Sequence, residues 1–365
     1  MSWCPSTARR FAAGGVLAFA AAYAISETVD PVYPELRARM ALFHERRPTL
    51  EAVAVGNSHG AALEFAELGL RGMHLSMAGQ DPFEASYLAR HAAESPRIRY
   101  VLFAASYGLQ RRDHAVVGSS DLRARRRQLY ARTPLQRPIP GDLKLWAAGM
   151  VAPVVRDDHW KGVIGRPIRA RPPVRLGEDG RGIGPEPPRL GRDSLVRHGA
   201  AVGAQHREAG EETVALSPGT PARVAARLDA LARELREQGV ALVLYTPPYH
   251  ETYLRVQDGA VNAETRAIME RIVADNPNAV WLDYSNDPRF RERDDLFTNS
   301  DHLNPAGGRA FSRLLRACMR SLEGTGGAAE SGGCPTKEGR VASARPRAPG
   351  VAAPAHPRTA AQEIQ

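Results

Sequence analysis

Two residues in this chain have the types and placement to do chemistry together: a serine at a strand-to-helix turn and a histidine just ahead of a final helix. Ser58 lies three residues beyond the apolar run Val53-Ala54-Val55, in the turn Gly56-Asn57-Ser58-His59-Gly60. A hydroxyl there is exposed, and backbone N–H groups at a helix start can stabilise an oxyanion. Serine is a weak nucleophile unless a base lies within hydrogen-bond reach. Of the 11 histidines, His302 is the best placed, because it follows the polar loop Thr298-Asn299-Ser300-Asp301 and immediately precedes the last helix. Residue types alone leave two readings open. Either Ser58 is a nucleophile with His302 as base, or Ser58 caps a helix and His302 is a surface residue.

The elements that must position such a pair alternate along the chain. Strands are expected at Val53–Val55, Met73–Leu75, Tyr100–Ala104, Val240–Tyr245 and Val280–Asp283. Between them lie helical patterns, one running through Leu68 and another carrying Tyr87 and Leu88. A third has Thr220 as cap, Pro221 in its first turn and Val224, Leu228, Leu231 and Leu235 on one face. Gly239 ends it, and a further helix spans about 263–275. The last begins with Asn304 as cap and Pro305, and should bury Phe311, Leu314, Leu315 and Cys318. Strand–helix alternation predicts an α/β fold with a doubly wound parallel sheet. In such a sheet functional groups gather at the carboxyl ends of the strands, where both Ser58 and His302 would emerge.

The chain has 365 residues and a formal charge of +9, unevenly spread. Residues 111–207 hold 20 Lys+Arg against 9 Asp+Glu, and Lys144, Lys161 and Lys337 are the only lysines. No aromatic-interleaved basic motif accompanies the arginines, which argues against a nucleic-acid partner. Residues 162–191 contain 7 Gly and 6 Pro, so an irregular Arg/Pro/Gly-rich insertion, about 111–215, is expected as a lid within an α/β domain of residues 50–322. The tail, 323–365, lacks core-forming residues and is expected to be disordered. At the other end, Arg9 and Arg10 precede the apolar stretch Phe11–Ile25, and Ala22-Tyr23-Ala24 fits a small-x-small cleavage site. Residues 1–26 therefore read as a signal peptide or membrane anchor, with a buried N-terminal helix as the alternative. Export would let Cys318 and Cys334 pair. No spacing suits a metal, and no cofactor is expected.

Beyond composition, Val55-Gly56-Asn57-Ser58-His59 and Asp301-His302-Leu303-Asn304-Pro305-Ala306-Gly307 resemble the first and last blocks of the SGNH/GDSL hydrolase superfamily. Supporting blocks are Ala78-Gly79-Gln80, Tyr245-Thr246-Pro247-Pro248-Tyr249 and Phe297-Thr298-Asn299-Ser300-Asp301-His302-Leu303-Asn304. The likeness is nearest a membrane-linked branch that includes alginate O-acetyltransferase-like proteins and the D-alanyl transfer protein of teichoic acids. It implies an SGNH/flavodoxin-like sheet, Ser58 as nucleophile and His302 as base. The N–H groups of Ser58 and Gly79 would form part of an oxyanion hole, with Ser106 donating where the family has an asparagine. The family's usual aspartate three residues before the histidine is Asn299 here, which can orient an imidazole but supplies no charge. Asp301 is the adjacent carboxylate.

The resemblance further implies an extracytoplasmic enzyme that passes an acyl group to a cell-surface glycan or to water, an O-acyl(acetyl)transferase or esterase. An integral membrane O-acyltransferase would be its partner, and the N-terminal segment its membrane association. The rival reading is a catalytically weak accessory protein that binds a glycan or the acyltransferase. Arg156-Asp157-Asp158-His159-Trp160 reads as a solvated loop, and His114, His206 and His250 show no partner signature. Arg123, Arg125, Arg126 and Arg127 either face an anionic lipid or polymer or form a solvated helix face.

Overall fold

Runs such as Ala52-Val53-Ala54-Val55 and Leu242-Val243-Leu244-Tyr245 are apolar at every position, the pattern of strands covered on both faces. In the computed structural model they are such strands. The structure describes residues 34–117, 174–182 and 188–322, together with 13–18, 20, 21, 122, 125, 126 and 129.

The elements in chain order are α1 (Pro34–Arg46), β1 (Ala52–Val55), a 3-10 turn (Ser58–Ala62), α2 (Phe65–Leu68), β2 (Gly72–His74), α3 (Pro82–Ala93) and β3 (Tyr100–Ala104). Then follow α4 (Arg192–Leu216), α5 (Thr220–Glu237), β4 (Ala241–Thr246), α6 (Glu251–Leu254), α7 (Gly259–Asp275), β5 (Ala279–Asp283) and α8 (Pro305–Leu322). All five strands are parallel, in the order β2-β1-β3-β4-β5. The chain steps from β1 outward to β2, then returns past β1 to β3. That reversal opens a crevice between the carboxyl ends of β1 and β3, where such sheets hold their ligands.

Alternate residues of each strand feed two apolar layers. Val53, Val55, Val101, Phe103, Leu242 and Leu244 pack against α1, α3, α5 and α7 through Phe43, Leu88, Leu228 and Met269. Ala54, Leu102, Val243, Tyr245 and Leu282 face the other way, onto Leu68 of α2 and Phe311, Leu315 and Cys318 of α8. The sheet is thus wound on both faces, as the alternation of elements predicts. Leu314 is only partly buried.

Several boundaries differ from expectation. Thr220 is the first residue of α5 and Gly219 its cap, whereas Asn304 does cap α8, its Oδ1 accepting the N–H of Gly307 at 3.0 Å. The end of the basic insertion is not irregular: Arg192–Leu216 is one long helix. Its glycines are contacts rather than breakers. A Cβ on Gly199 would lie 2.7 Å from the Thr252 carbonyl oxygen, and one on Gly203 would lie 2.4 Å from Val256 Cγ2. Residues 174–182 dock on the edge of β2, where His74 N–H donates to Asp179 O at 2.7 Å and Arg181 pairs with Glu64. Residues 130–173 and 183–187, including the Arg156–Trp160 segment, lie outside the described residues, as do the tail 323–365 and residues 11, 12, 19 and 22–25 of the N-terminal apolar stretch. Among the described residues no helix is long and apolar enough to cross a membrane. Cys318 is buried and disulfide-bonded; Cys334, its expected partner, lies outside the described residues.

Candidate functional site

Strand β1 ends at Val55, and Gly56 turns the chain with φ +113°. A side chain there would meet Ala104 at the end of β3, with a Cβ–Cβ separation of only 2.9 Å, so the turn requires glycine on both counts. Gln80, from the loop after β2, ties that loop to the end of β1: its Oε1 accepts the Gly56 N–H at 2.7 Å and its Nε2 donates to Leu75 O at 3.2 Å. Asn57 then caps the 3-10 turn by accepting the His59 N–H. The turn carries Ser58 toward the solvent side and His59 inward.

The partner loop is closed by an antiparallel bridge between Phe297 and Leu303. Within it, Asn299 Oδ1 accepts the backbone N–H groups of Asp301 and His302, at 3.2 and 2.9 Å. This short-range turn fixes His302 at the lip of the crevice. His302 Nε2 lies 2.7 Å from Ser58 Oγ, the contact a general base needs. Nδ1 of the same ring faces two acceptors, Asn299 Oδ1 at 3.0 Å and Asp301 Oδ1 at 3.1 Å. The ionised carboxylate is the stronger acceptor of the two.

Asp301 is buried and uses both oxygens. Its Oδ2 lies 3.3 Å from Nε2 of His59, whose Nδ1 is 2.6 Å from Ser106 Oγ. Asn57 Nδ2 donates to that hydroxyl at 3.2 Å. Burial holds His59 at a pKa of about 4, so its ring is neutral near pH 7. The proton directions follow. Asn57 donates to Ser106, Ser106 to His59 Nδ1, His59 Nε2–H to Asp301 and His302 Nδ1–H to the other carboxylate oxygen, which frees His302 Nε2 to accept from Ser58. Burial alone would raise the Asp301 pKa, but the hydrogen bonds and charges of His302 and His59 hold it well below the usual carboxylate range.

Of the expected site residues, the structure brings Ser58, His302, Asp301 and Asn299 together. Asn299 acts mainly as a brace, and Asp301 occupies the place of the charged third group. Ser106 is 2 % exposed and its hydroxyl is spent on Asn57 and His59, so as an oxyanion donor it is replaced by a supporting role. Among the described residues the backbone N–H groups of Ser58 and Gly79 donate to no protein acceptor, which leaves both for a ligand. His59 is the residue sequence reasoning missed. It sits in the quoted motif, but no spacing rule shows that a 3-10 turn rotates it onto Asp301.

Arg125 and Arg126 also depart from expectation. Neither is a solvated face: they are 4 % and 8 % exposed. Arg125 donates to Glu84, to Ala78 O at 2.7 Å and to Gly79 O at 2.9 Å, holding the loop that presents the Gly79 N–H. Arg126 pairs with Asp81 and Asp113. Arg123 and Arg127 lie outside the described residues. His250 caps α6 and meets Asp294, and His206 meets Tyr253. His114 lies 3.7 Å from Glu84.

A cleft of about 140 Å³ opens over the dyad, walled by Ala61, Ala62, Pro247, Pro248 and Leu303. Its floor is Ser58, His59, Asp301 and His302, so apolar walls stand over a polar floor. Among the described residues two clusters bring metal-binding residue types together, His59–Asp301–His302 and Asp81–Glu84–His114. In the first the atoms a cation would use are bonded to one another. In the second, two guanidiniums already neutralise the carboxylates. The chain matches no protein-family model and no curated protein.

Proposed function

We propose that this chain is an SGNH-type serine enzyme that transfers a short acyl group, acetyl in the simplest case, through an ester on Ser58. The observation that carries the reading is the 2.7 Å contact between Ser58 Oγ and His302 Nε2, backed by Asp301 on Nδ1. Ser58 Oγ attacks the ester carbonyl carbon while its proton passes to His302 Nε2. The imidazolium so formed is stabilised by Asp301. The oxyanion is met by the N–H groups of Ser58 and Gly79. Collapse breaks the bond to the leaving alkoxide, which takes the proton from His302. A hydroxyl of a cell-surface glycan, or water, then gives its proton to His302 and attacks the acyl carbonyl, and the Ser58 ester bond breaks as Ser58 Oγ takes that proton back from His302.

The remainder of the reading rests on the resemblance of the two terminal blocks. The N-terminal segment exports or anchors the chain, an integral membrane O-acyltransferase supplies the acyl group, and a polysaccharide accepts it. Hydrolysis of a neutral aryl acetate by the whole chain tests the chemistry. Ser58→Ala and His302→Gln should each abolish turnover above background while both proteins remain folded. A Ser58→Ala variant that fully complements a strain lacking the protein would instead make it a non-catalytic accessory.

A further inference from the structure

The loop after β2, which carries the Gly79 N–H, is fastened to the Ser58 turn at two points. Met77 N–H donates to Gly56 O at 3.1 Å, and Gln80 Oε1 accepts the Gly56 N–H at 2.7 Å. Between these ties, Gln80 N–H donates to Met77 O at 3.0 Å, closing a β-turn with Ala78 and Gly79 at its centre. Gly79 has φ +62°, the sign that a type II turn requires at its third residue.

Such a turn does not by itself fix the direction of its central peptide. Types I and II differ chiefly in that direction, and glycine accepts the φ of either. The unit concerned joins Ala78 to Gly79, and in a planar trans peptide the C=O and N–H point opposite ways. Rotating it would put the Ala78 carbonyl where the Gly79 N–H stands, so a donor to the oxyanion would become a repelling acceptor.

Arg125 supplies the missing constraint. Its Nη1 donates to Ala78 O at 2.7 Å and its Nη2 to Gly79 O at 2.9 Å. The guanidinium is itself anchored, because Nε and Nη2 form a fork on the two oxygens of Glu84 at 3.0 and 2.7 Å. Glu84 is buried in the first turn of α3, where its carboxylate also accepts the Asp81 N–H. Arg125 belongs to the arginine-rich insertion, so the insertion contributes a buried side chain to the loop beside the nucleophile.

We infer that Arg125 is a positioning residue: by clamping the Ala78 carbonyl it keeps the Gly79 N–H turned toward the oxyanion formed at Ser58. The insertion then completes the oxyanion hole rather than only covering the site. The catalytic part of this inference rests on the acyl-transfer reading; the clamp itself rests on the turn and the hydrogen bonds that Arg125 makes to it.

The test compares the full chain with Arg125→Gln, Arg125→Lys and Arg126→Gln in hydrolysis of a neutral aryl acetate, with a crystal structure of each Arg125 variant. Arg125→Gln should lower kcat by about 10²-fold, the cost of one oxyanion donor, with KM little changed. Arg125→Lys keeps a charge beside Glu84, and with it the fold, but one ammonium cannot bridge Glu84 and both carbonyls. Its kcat should fall by about tenfold or more. Arg126→Gln breaks the neighbouring buried pairs with Asp81 and Asp113 without touching the turn. It should lower the melting temperature yet keep the parent's kcat per folded molecule, a separation that a merely structural role for Arg125 would not produce. In crystals of the Arg125 variants the Ala78–Gly79 peptide should be rotated or hold two orientations. An unchanged kcat in both Arg125 variants, a loss carried by KM alone, an equal loss of kcat in Arg126→Gln, or a peptide that keeps its direction while kcat falls would overturn the proposal. A parent with no Ser58-dependent turnover would strike the acyl-transfer reading, and the crystals would then decide the clamp alone: a rotated peptide keeps it and an unmoved one overturns it.

Discussion

Replacing Asp301 by asparagine removes a charge and turns one of its two accepting oxygens into an N–H donor. The carboxylate is 2 % exposed and accepts from His302 at 3.1 Å and His59 at 3.3 Å, and an amide fills the same space. In the step proposed for Ser58, His302 becomes an imidazolium beside this group. Opposite charges about 4 Å apart interact by about 4 kcal/mol at an effective dielectric near 20. Losing that from the transition state corresponds to about a 10³-fold fall in kcat. Asn299 Oδ1 stays within 3.0 Å of Nδ1, so the ring remains oriented and some turnover persists. The assay is continuous hydrolysis of a neutral aryl acetate, with a melting curve to show that the variant is folded. Asn299→Ala is the companion; it removes the acceptor of the Asp301 and His302 backbone N–H groups but leaves the Asp301 charge beside Nδ1, and should cost about 10–100-fold, less than Asp301→Asn. If Asp301→Asn stays within about threefold of the parent while Asn299→Ala abolishes turnover, the weighting of charge over orientation used here is wrong.

Three further outcomes follow from the same geometry. Burial holds His59, His74, His91 and His206 at pKa values of about 4, 3, 4 and 3, against 6.5 when exposed. The unfolded chain therefore binds more protons as pH falls below 6.5, and stability drops toward pH 4, by on the order of 3 kcal/mol for His59 alone; a urea midpoint unchanged between neutral and mildly acid pH would contradict this. Gly56→Ala should cost about 1–3 kcal/mol in urea unfolding from its positive φ and the approach to Ala104, and a loss too small to resolve would contradict the turn geometry. Arg125→Gln leaves Glu84 buried beside a weaker partner and should cost about 3–5 kcal/mol, read as a lowered melting temperature; an unchanged melting temperature would show that the buried pair contributes nothing.

Much of the scaffold was legible because its signals are local. Strands such as Tyr100–Ala104 and the run Ala241–Tyr245 are apolar throughout, and Pro305 behind Asn304 marks the start of α8. Ser58 and His302 stood out as candidates for the same reason, each lying next to an element boundary, but that left the cap-and-surface reading open, and the resemblance of the two terminal blocks is what paired them. What escaped was decided by tertiary contact. The Arg192–Leu216 end of the insertion reads as irregular until Thr252 of α6 and Val256 just beyond it are seen to pack where side chains on Gly199 and Gly203 would be. Arg125 and Arg126 look solvated until Glu84, Asp81 and Asp113 converge on them from α3 and the loop after β3. His59 and Asp301 are distant in sequence, and only the 3-10 turn after β1 and the Asn299 turn bring them together. That contact holds Asp301, whose other oxygen supplies His302 with the charge that Asn299 lacks.

The most direct measurement of the central claim is intact-mass spectrometry of the purified chain after exposure to an activated acetyl ester, beside its Ser58→Ala twin. One acetyl group, mapped by peptide sequencing to Ser58 and absent from the twin, is the expected result. Two folded proteins that acquire no adduct and turn over no ester, or an adduct carried equally by the twin, would contradict a nucleophilic Ser58.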